Sequence, residues 1–175
     1  MGTREVVLVN ERDEVLGTME KMEAHRKGLL HRAFSVVIFN DKNEMLVHRR
    51  ADDKYHCGGL WTNACCSHPR LNENVKAGAQ RRLMEEMGFS CDLTFIDTFI
   101  YKAAFENGLI EHELDHLFVG HYNDHPSPNE QEVSDWKYIS LDALKKEMTY
   151  APQNFTFWFK EIMHNKFEQI QQSIL

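Results

Sequence analysis

The sequence predicts an α/β fold with a mixed sheet. Three observations carry this. Short β-branched and aromatic runs fill the first two thirds of the chain. Helical apolar spacing fills the last third. One further helical pattern interrupts the strands, between Asn72 and Gly88. At 175 residues the chain is long enough to bury one sizeable core. Residues 1–175 read as a single domain, with no repeat, low-complexity stretch or Gly/Ser-rich linker.

Val6 to Val9 is the first strand run, and the polar turn Asn10 to Glu14 leads to a second at Val15 to Met19. Arg32 to Asn40 is rich in Phe, Val and Ile and reads as a buried strand. Asp41 to Glu44 is its hairpin turn, and Met45 to Arg49 is the expected partner. Gly58-Gly59 signals a loop. Asn72 is the expected N-cap of the central helix. Val75, Ala79 and Leu83 recur every four residues, and Gly88 is the stop. Glu86 shares a face with Arg82 and Leu83. Two long strands follow, near Leu93 to Phe105 and Ile110 to Tyr122, joined through Asn107-Gly108. Trp136 to Ile139 is a short strand, Ser140 opens a helix, and Pro152 onward reads as one C-terminal helix.

The net charge of -7 argues against general nucleic-acid binding, so an anionic ligand needs a local basic patch or metal ions. No apolar run reaches membrane-span length, and no signal-peptide core is present. Met1-Gly2 suggests acylation, but Val6 stands where that motif takes Ser or Thr. The four cysteines form no CxxC pair and read as reduced thiols. A cytoplasmic monomer is expected.

Most of the ten histidines are expected to be solvated, but some stand near other ligand types. His25 and His31 flank Lys27-Gly28, and His68 follows the adjacent thiols Cys65 and Cys66. Glu111 and Glu113, two apart on a strand, point to one face and repel unless a cation or solvent intervenes. Together these make a mixed N/O set suited to Zn²⁺, Mn²⁺ or Fe²⁺. Taken alone, His25 and His31 read more readily as separate surface residues.

Ser67-x5-Glu73-x7-Arg81-Arg82-Leu83-Met84-Glu85-Glu86-Met87-Gly88-Phe89 resembles a Nudix box. Ser67 replaces its glycine, Phe89 its last aliphatic residue, and Arg82 the first of its metal-binding glutamates. Trp61-Thr62-Asn63-Ala64-Cys65-Cys66-Ser67-His68-Pro69 resembles the active-site cysteine motif of type I isopentenyl-diphosphate isomerases, members of the same superfamily. The likeness extends over almost the whole chain. It takes in Lys21 with His25 and His31, Arg49-Arg50 with Lys54, Tyr101, Glu111-His112-Glu113 and Phe155-Thr156-Phe157-Trp158. Phe157 departs from it, standing where the signature has proline, and the His25–His31 spacing is one residue shorter than in some relatives.

The resemblance implies a Nudix-like α/β/α sandwich with a mixed β-sheet. It implies interconversion of isopentenyl and dimethylallyl diphosphate by protonation of the alkene and deprotonation on the opposite face. Cys66 and Glu113 would transfer protons, with Tyr101 assisting Glu113. Lys21, Arg50 and Lys54 would hold the diphosphate. Trp158 would face the carbocation, though core packing accounts for it equally well. His25, His31, His68, Glu111 and Glu113 would bind one transition metal, Mn²⁺ or Zn²⁺. Glu86 and the Cys66 carbonyl would bind Mg²⁺. Arg82 has two readings, a phosphate contact or a salt bridge to Glu85 or Glu86. The alternatives for the whole protein are a Nudix diphosphate hydrolase and a non-catalytic diphosphate-sensing domain.

Overall fold

The computed structural model describes residues 4–54 and 56–175. Met1-Gly2 lies outside them. The expected first hairpin is present: β1 (Glu5–Val9) pairs antiparallel with β2 (Val15–Glu20). Its turn is held by the Asn10 side-chain carbonyl, which accepts from the Arg12 and Glu14 amides. A short helix, α1 (Lys21–Lys27), follows and was not expected from the sequence. Seven residues with little apolar periodicity give almost no helical signal. It forms because the Glu20 side chain caps the Met22 and Glu23 amides and Gly28 closes the other end at φ 65°.

β3 (His31–Phe39) is the central strand. Beyond it lie β4 (Glu44–Arg50), β5 (Trp61–Thr62) and β6 (Cys65–Ser67). The expected β3–β4 hairpin closes only at its base, at Phe39↔Met45. Beyond that point β3 pairs with β6 on one side. Its other side runs parallel to β8 (Ile110–His121), along all nine residues of β3. β4 instead pairs along its length with β9 (Val133–Ser140), a strand longer than the sequence suggested. β7 (Leu93–Ala104) and β8 form the expected long hairpin. This parallel pair makes the sheet mixed.

Alternation along β3 divides the core into two layers. Phe34, Val36 and Ile38 pack with Ala79, Leu83 and Met87 of α2 (Val75–Met87). Val37 and Phe39 face the opposite way. They pack among Trp158, Phe159 and Ile162 of α4 (Phe157–Asn165), together with Leu144 of α3 (Leu141–Tyr150) and Ile170 of α5 (Phe167–Ser173). The result is the expected α/β/α sandwich. The same alternation separates the adjacent thiols: Cys65 is buried in the α2 layer, and Cys66 packs against the other.

Two boundaries differ from expectation. The N-cap of α2 is Asn74, which accepts from Ala77 N at 3.1 Å, while Asn72 sits in a left-handed turn at φ 61°. The C-terminal segment is three elements rather than one. A 3-10 turn at Pro152–Asn154 ends before Thr156, which caps α4, and Lys166 breaks α4 from α5. Phe157 is the first residue of α4. Proline is favoured there because the first turn needs no amide, so a phenylalanine fits without loss of a bond. Gly88 ends α2 at φ 75°, and a side chain there would collide with the Ser127 carbonyl.

Candidate active site

Register and helical spacing bring distant residues to one place. On α1, Lys21 and His25 lie four residues apart and share a face. Across the sheet, His31 of β3, Glu113 of β8 and Tyr101 of β7 occupy one rung. His68 follows β6, which adjoins β3. The ligand atoms of His25, His31, His68 and Glu113 all lie within 4.8 Å of one another, and all four residues are buried.

This group fits a divalent metal on its own chemistry. The His25 Nε2 is buried with no hydrogen-bond partner. The His31 Nδ1 lies 2.9 Å from the Leu29 carbonyl, which fixes its proton there and turns Nε2 toward the cluster. Burial, then the neighbouring imidazoles His31 and His68, pushes His25 down to about 3. Burial pushes His68 down to about 4, against the pull of Glu113. Both are therefore neutral at pH 7, the form that ligates. Glu113 Oε1 is 3.1 Å from His68 Nε2 and 3.4 Å from His31 Nε2. Burial acts to raise the carboxyl, but its bonds to His31 and His68 outweigh that and hold it well below the usual range. Its other oxygen accepts from the Tyr101 hydroxyl at 2.6 Å.

Glu111 stands outside the group of four. Its Oε1 is 2.8 Å from His56 Nε2, and Tyr101 Oη reaches its other oxygen at 3.4 Å. Burial and the charge of Glu113 raise Glu111 to about 8. His112 points away and bonds to the Gly28 carbonyl, 3.1 Å distant.

Cys66, Tyr101, Glu111, Glu113 and Trp158 line one cavity of about 240 Å³. Lys21, Arg50 and Lys54 line it too, so the three basic residues predicted for a diphosphate converge there. Arg49 is not among the lining residues. It bonds to Asp52 and the Gly59 carbonyl. The Arg50 guanidinium lies over the Trp158 ring, 5.1 Å from its centroid, and Lys54 pairs with Glu132. Trp158 is 4% exposed and forms part of the cavity wall.

On the α2 side, Arg82 bridges Glu85 and Glu86, at 2.5 Å each, and also borders the cavity. Glu86 is buried, and that burial raises its carboxyl even against Arg82. Glu73 is used structurally: it grips Arg81 at 2.8 and 3.0 Å and accepts from Arg70 N.

Among the groups at the site not singled out from the sequence are His56, Glu132, Ser35 and Asp115. His56 has no local pattern to mark it. Ser35 and Asp115 do: each is a polar residue at a buried position of a strand, and Asp115 continues the Glu111, Glu113 alternation. The Ser35 hydroxyl donates to Asp115 at 2.6 Å and lies 3.3 Å from Cys66 Sγ. Burial, then the charge of Asp115, raises the Cys66 thiol well above the ordinary range.

Comparison with known proteins agrees with this architecture. The NUDIX domain family matches residues 29–159. The chain is 50% identical over 160 residues to an isopentenyl-diphosphate Delta-isomerase of Pectobacterium atrosepticum, covering 91% of this chain and 89% of that protein. It is 47% identical over 159 residues to isopentenyl-diphosphate Delta-isomerase 2 of Photorhabdus laumondii, covering 91% and 90%. Among solved structures, the DR0079 protein of Deinococcus radiodurans aligns with a TM-score of 0.70 at 17% identity, over 83% of this chain and 89% of that one. A MutT NUDIX hydrolase from Burkholderia pseudomallei aligns at 0.62 and 18%, over 78% and 98%. The two structural likenesses speak for the fold and the two sequence likenesses for the branch within it: this chain belongs to the NUDIX superfamily and, within it, to the isopentenyl-diphosphate Delta-isomerase family.

Proposed function

We propose that the chain interconverts isopentenyl and dimethylallyl diphosphate, with Cys66 and Glu113 as its proton-transfer groups. The observation that carries this reading is the convergence of Cys66, Glu113, Trp158 and three basic side chains on one cavity. An unactivated alkene is a weak base, so its protonation needs an acid in a water-poor pocket. One group delivers a proton to the terminal CH₂ carbon and leaves a tertiary cation. The other removes a proton from the CH₂ next to that cationic carbon on the diphosphate side, and the double bond forms between them. The two roles exchange when the reaction runs backward. Tyr101 orients Glu113 through its 2.6 Å bond. Trp158 faces the cation with its π-system, worth about 2 kcal/mol when desolvated. Lys21, Arg50 and Lys54 hold the diphosphate.

His25, His31, His68 and Glu113 would hold a Mn²⁺ or Zn²⁺ ion, with Glu111 close by. Glu86 and the Cys66 carbonyl would share a Mg²⁺ with the diphosphate. When bound, the two ions supply charge that sets the acidity of Glu113 and neutralises the substrate anion. The Arg82 bridge to Glu85 and Glu86 supports isomerisation over hydrolysis, because it occupies carboxylates that a hydrolase needs for activating water. Among the described residues no helix is long and apolar enough to cross a membrane. We infer a cytoplasmic monomer.

The test is an assay with isopentenyl diphosphate and Mg²⁺ that reads dimethylallyl diphosphate and free phosphate together. Isomer without phosphate is expected. Cys66→Ser should lower turnover about 10²–10⁴-fold while diphosphate binding persists. Phosphate without isomer would make the chain a hydrolase, and tight binding without turnover would make it a sensor.

A further inference from the structure

We propose that Thr62 and Asn63 are positioning residues that lock the indole of Trp158 and the thiol of Cys66 into one hydrogen-bonded unit. Neither lines the cavity, and both are buried, at 2% and 0% exposure. Their effect on chemistry must therefore pass through the residues they touch.

Donor and acceptor arithmetic fixes every bond in the unit. The Trp158 indole can only donate, and its Nε1 reaches Thr62 Oγ1 at 3.0 Å. The Thr156 hydroxyl, itself accepting from Phe159 N, donates to the same oxygen at 3.1 Å. Both lone pairs of Thr62 are then used, so its one proton goes to Asn63 Oδ1, 2.9 Å away. The Asn63 amide cannot flip. Its nitrogen faces two carbonyls, Val36 O at 2.9 Å and Cys65 O at 3.0 Å, which only accept. Oδ1 is thus held toward Cys66, whose thiol donates to it at 3.1 Å.

The consequence is geometric. The ring that faces the cation sits on α4, the thiol sits on β6, and both line the cavity. Proton transfer demands that their separation be kept within a fraction of an ångström. Two buried residues with no alternative partners keep it, and each has an obligatory orientation. Thr62 also pairs with His48 of β4, so the unit is anchored in the sheet.

This inference rests on the isomerase reading, and the experiment separates the two. Thr62→Val keeps the shape and removes the hydroxyl. It should lower kcat about tenfold or more, the order of one buried group left unpaired, with KM unchanged within about twofold. Thr62→Ser should restore most of the rate. Independently of turnover, Asn63→Ala should shift the Trp158 indole N–H resonance, assigned through its loss in Trp158→Phe, although residue 63 does not touch the indole. A wild-type kcat in Thr62→Val overturns the inference, as does equal loss in Thr62→Val and Thr62→Ser, or an indole resonance that stays in place. A wild-type protein that makes no dimethylallyl diphosphate overturns the isomerase reading instead, and the indole resonance then decides the coupling alone.

Discussion

Two charged clusters contribute to the cavity wall, and they balance charge in opposite ways. At the sheet end, His25, His31 and His68 surround one oxygen of Glu113. On α2, Glu85 and Glu86 share the guanidinium of Arg82, a cation the chain itself supplies. The first cluster is a set of donors arranged for an ion. The second has part of its cation built in. What differs is whether the compensating charge is covalently attached. A metal can leave or change identity, whereas Arg82 cannot, so the two clusters should respond differently to substitution, to ions and to pH.

The largest effect should come from the shared carboxylate. Glu113→Gln keeps the shape and removes the charge that both Tyr101 and the imidazoles address. Isomerisation should fall about 10²–10⁴-fold, measured as dimethylallyl diphosphate formed per enzyme. A fall of less than about tenfold would remove Glu113 from proton transfer and leave it a ligand at most.

Breaking the built-in cation should cost stability rather than rate alone. Arg82→Met leaves Glu86 buried beside Glu85 without its partner. Removal of one member of a buried pair costs about 3 kcal/mol or more. Urea denaturation at neutral pH should show that loss, and Mg²⁺ should recover part of it in the variant but add little to wild type. An unchanged midpoint would mean that the Arg82 bridge carries no stability.

The sheet-end cluster should behave in the reverse sense. Adding Mn²⁺ or Zn²⁺ to metal-stripped protein should stabilise it by about 2.7 kcal/mol at a free concentration 100 times Kd. His25→Ala should abolish most of that gain in a thermal melt. If the variant gains as much as wild type, the ion binds elsewhere.

Much of this was legible in the sequence because strand periodicity is local. The spacing of Glu111, Glu113 and the two cysteines already put Glu113 and Cys66 on defined faces, and both line the cavity. The long β7–β8 hairpin was equally readable from its Asn-Gly turn and alternating runs. What escaped was set by long-range pairing. The parallel alignment of β3 with β8 puts His31 beside Glu113, yet 82 positions along the chain separate them. For the same reason β4 left its expected partner for β9. The helix α1 escaped for a different reason: its stability comes from a glutamate cap and from packing, not from apolar periodicity. The Arg82 substitution was visible, but only the fold shows it bridging two carboxylates at once.

The smallest effect separates burial from ligation. His48 of β4 is another buried imidazole, 3% exposed, with its Nδ1 unpartnered. It is not part of the metal-type group. Burial, then the charge of Arg50, pushes it down to about 3 from an ordinary 6.5. Its folded value lies below its unfolded one, so the unfolded chain takes up a proton first as pH falls. Stability is therefore complete above pH 6.5 and is lost progressively toward the folded value. Between pH 7 and about pH 5.5 this one residue should account for about 1 kcal/mol. His48→Gln cannot take up that proton, so its stability should fall less steeply over the same window, whatever its midpoint at pH 7. Metal should leave the difference between wild type and variant unchanged, because His48 offers the ion nothing. By contrast, metal should remove the acid sensitivity contributed by His25 and His68, whose protons compete with the ion. If saturating metal also flattens the His48 difference, burial and ligation are not separable in this fold, and the contrast between the two clusters loses its basis.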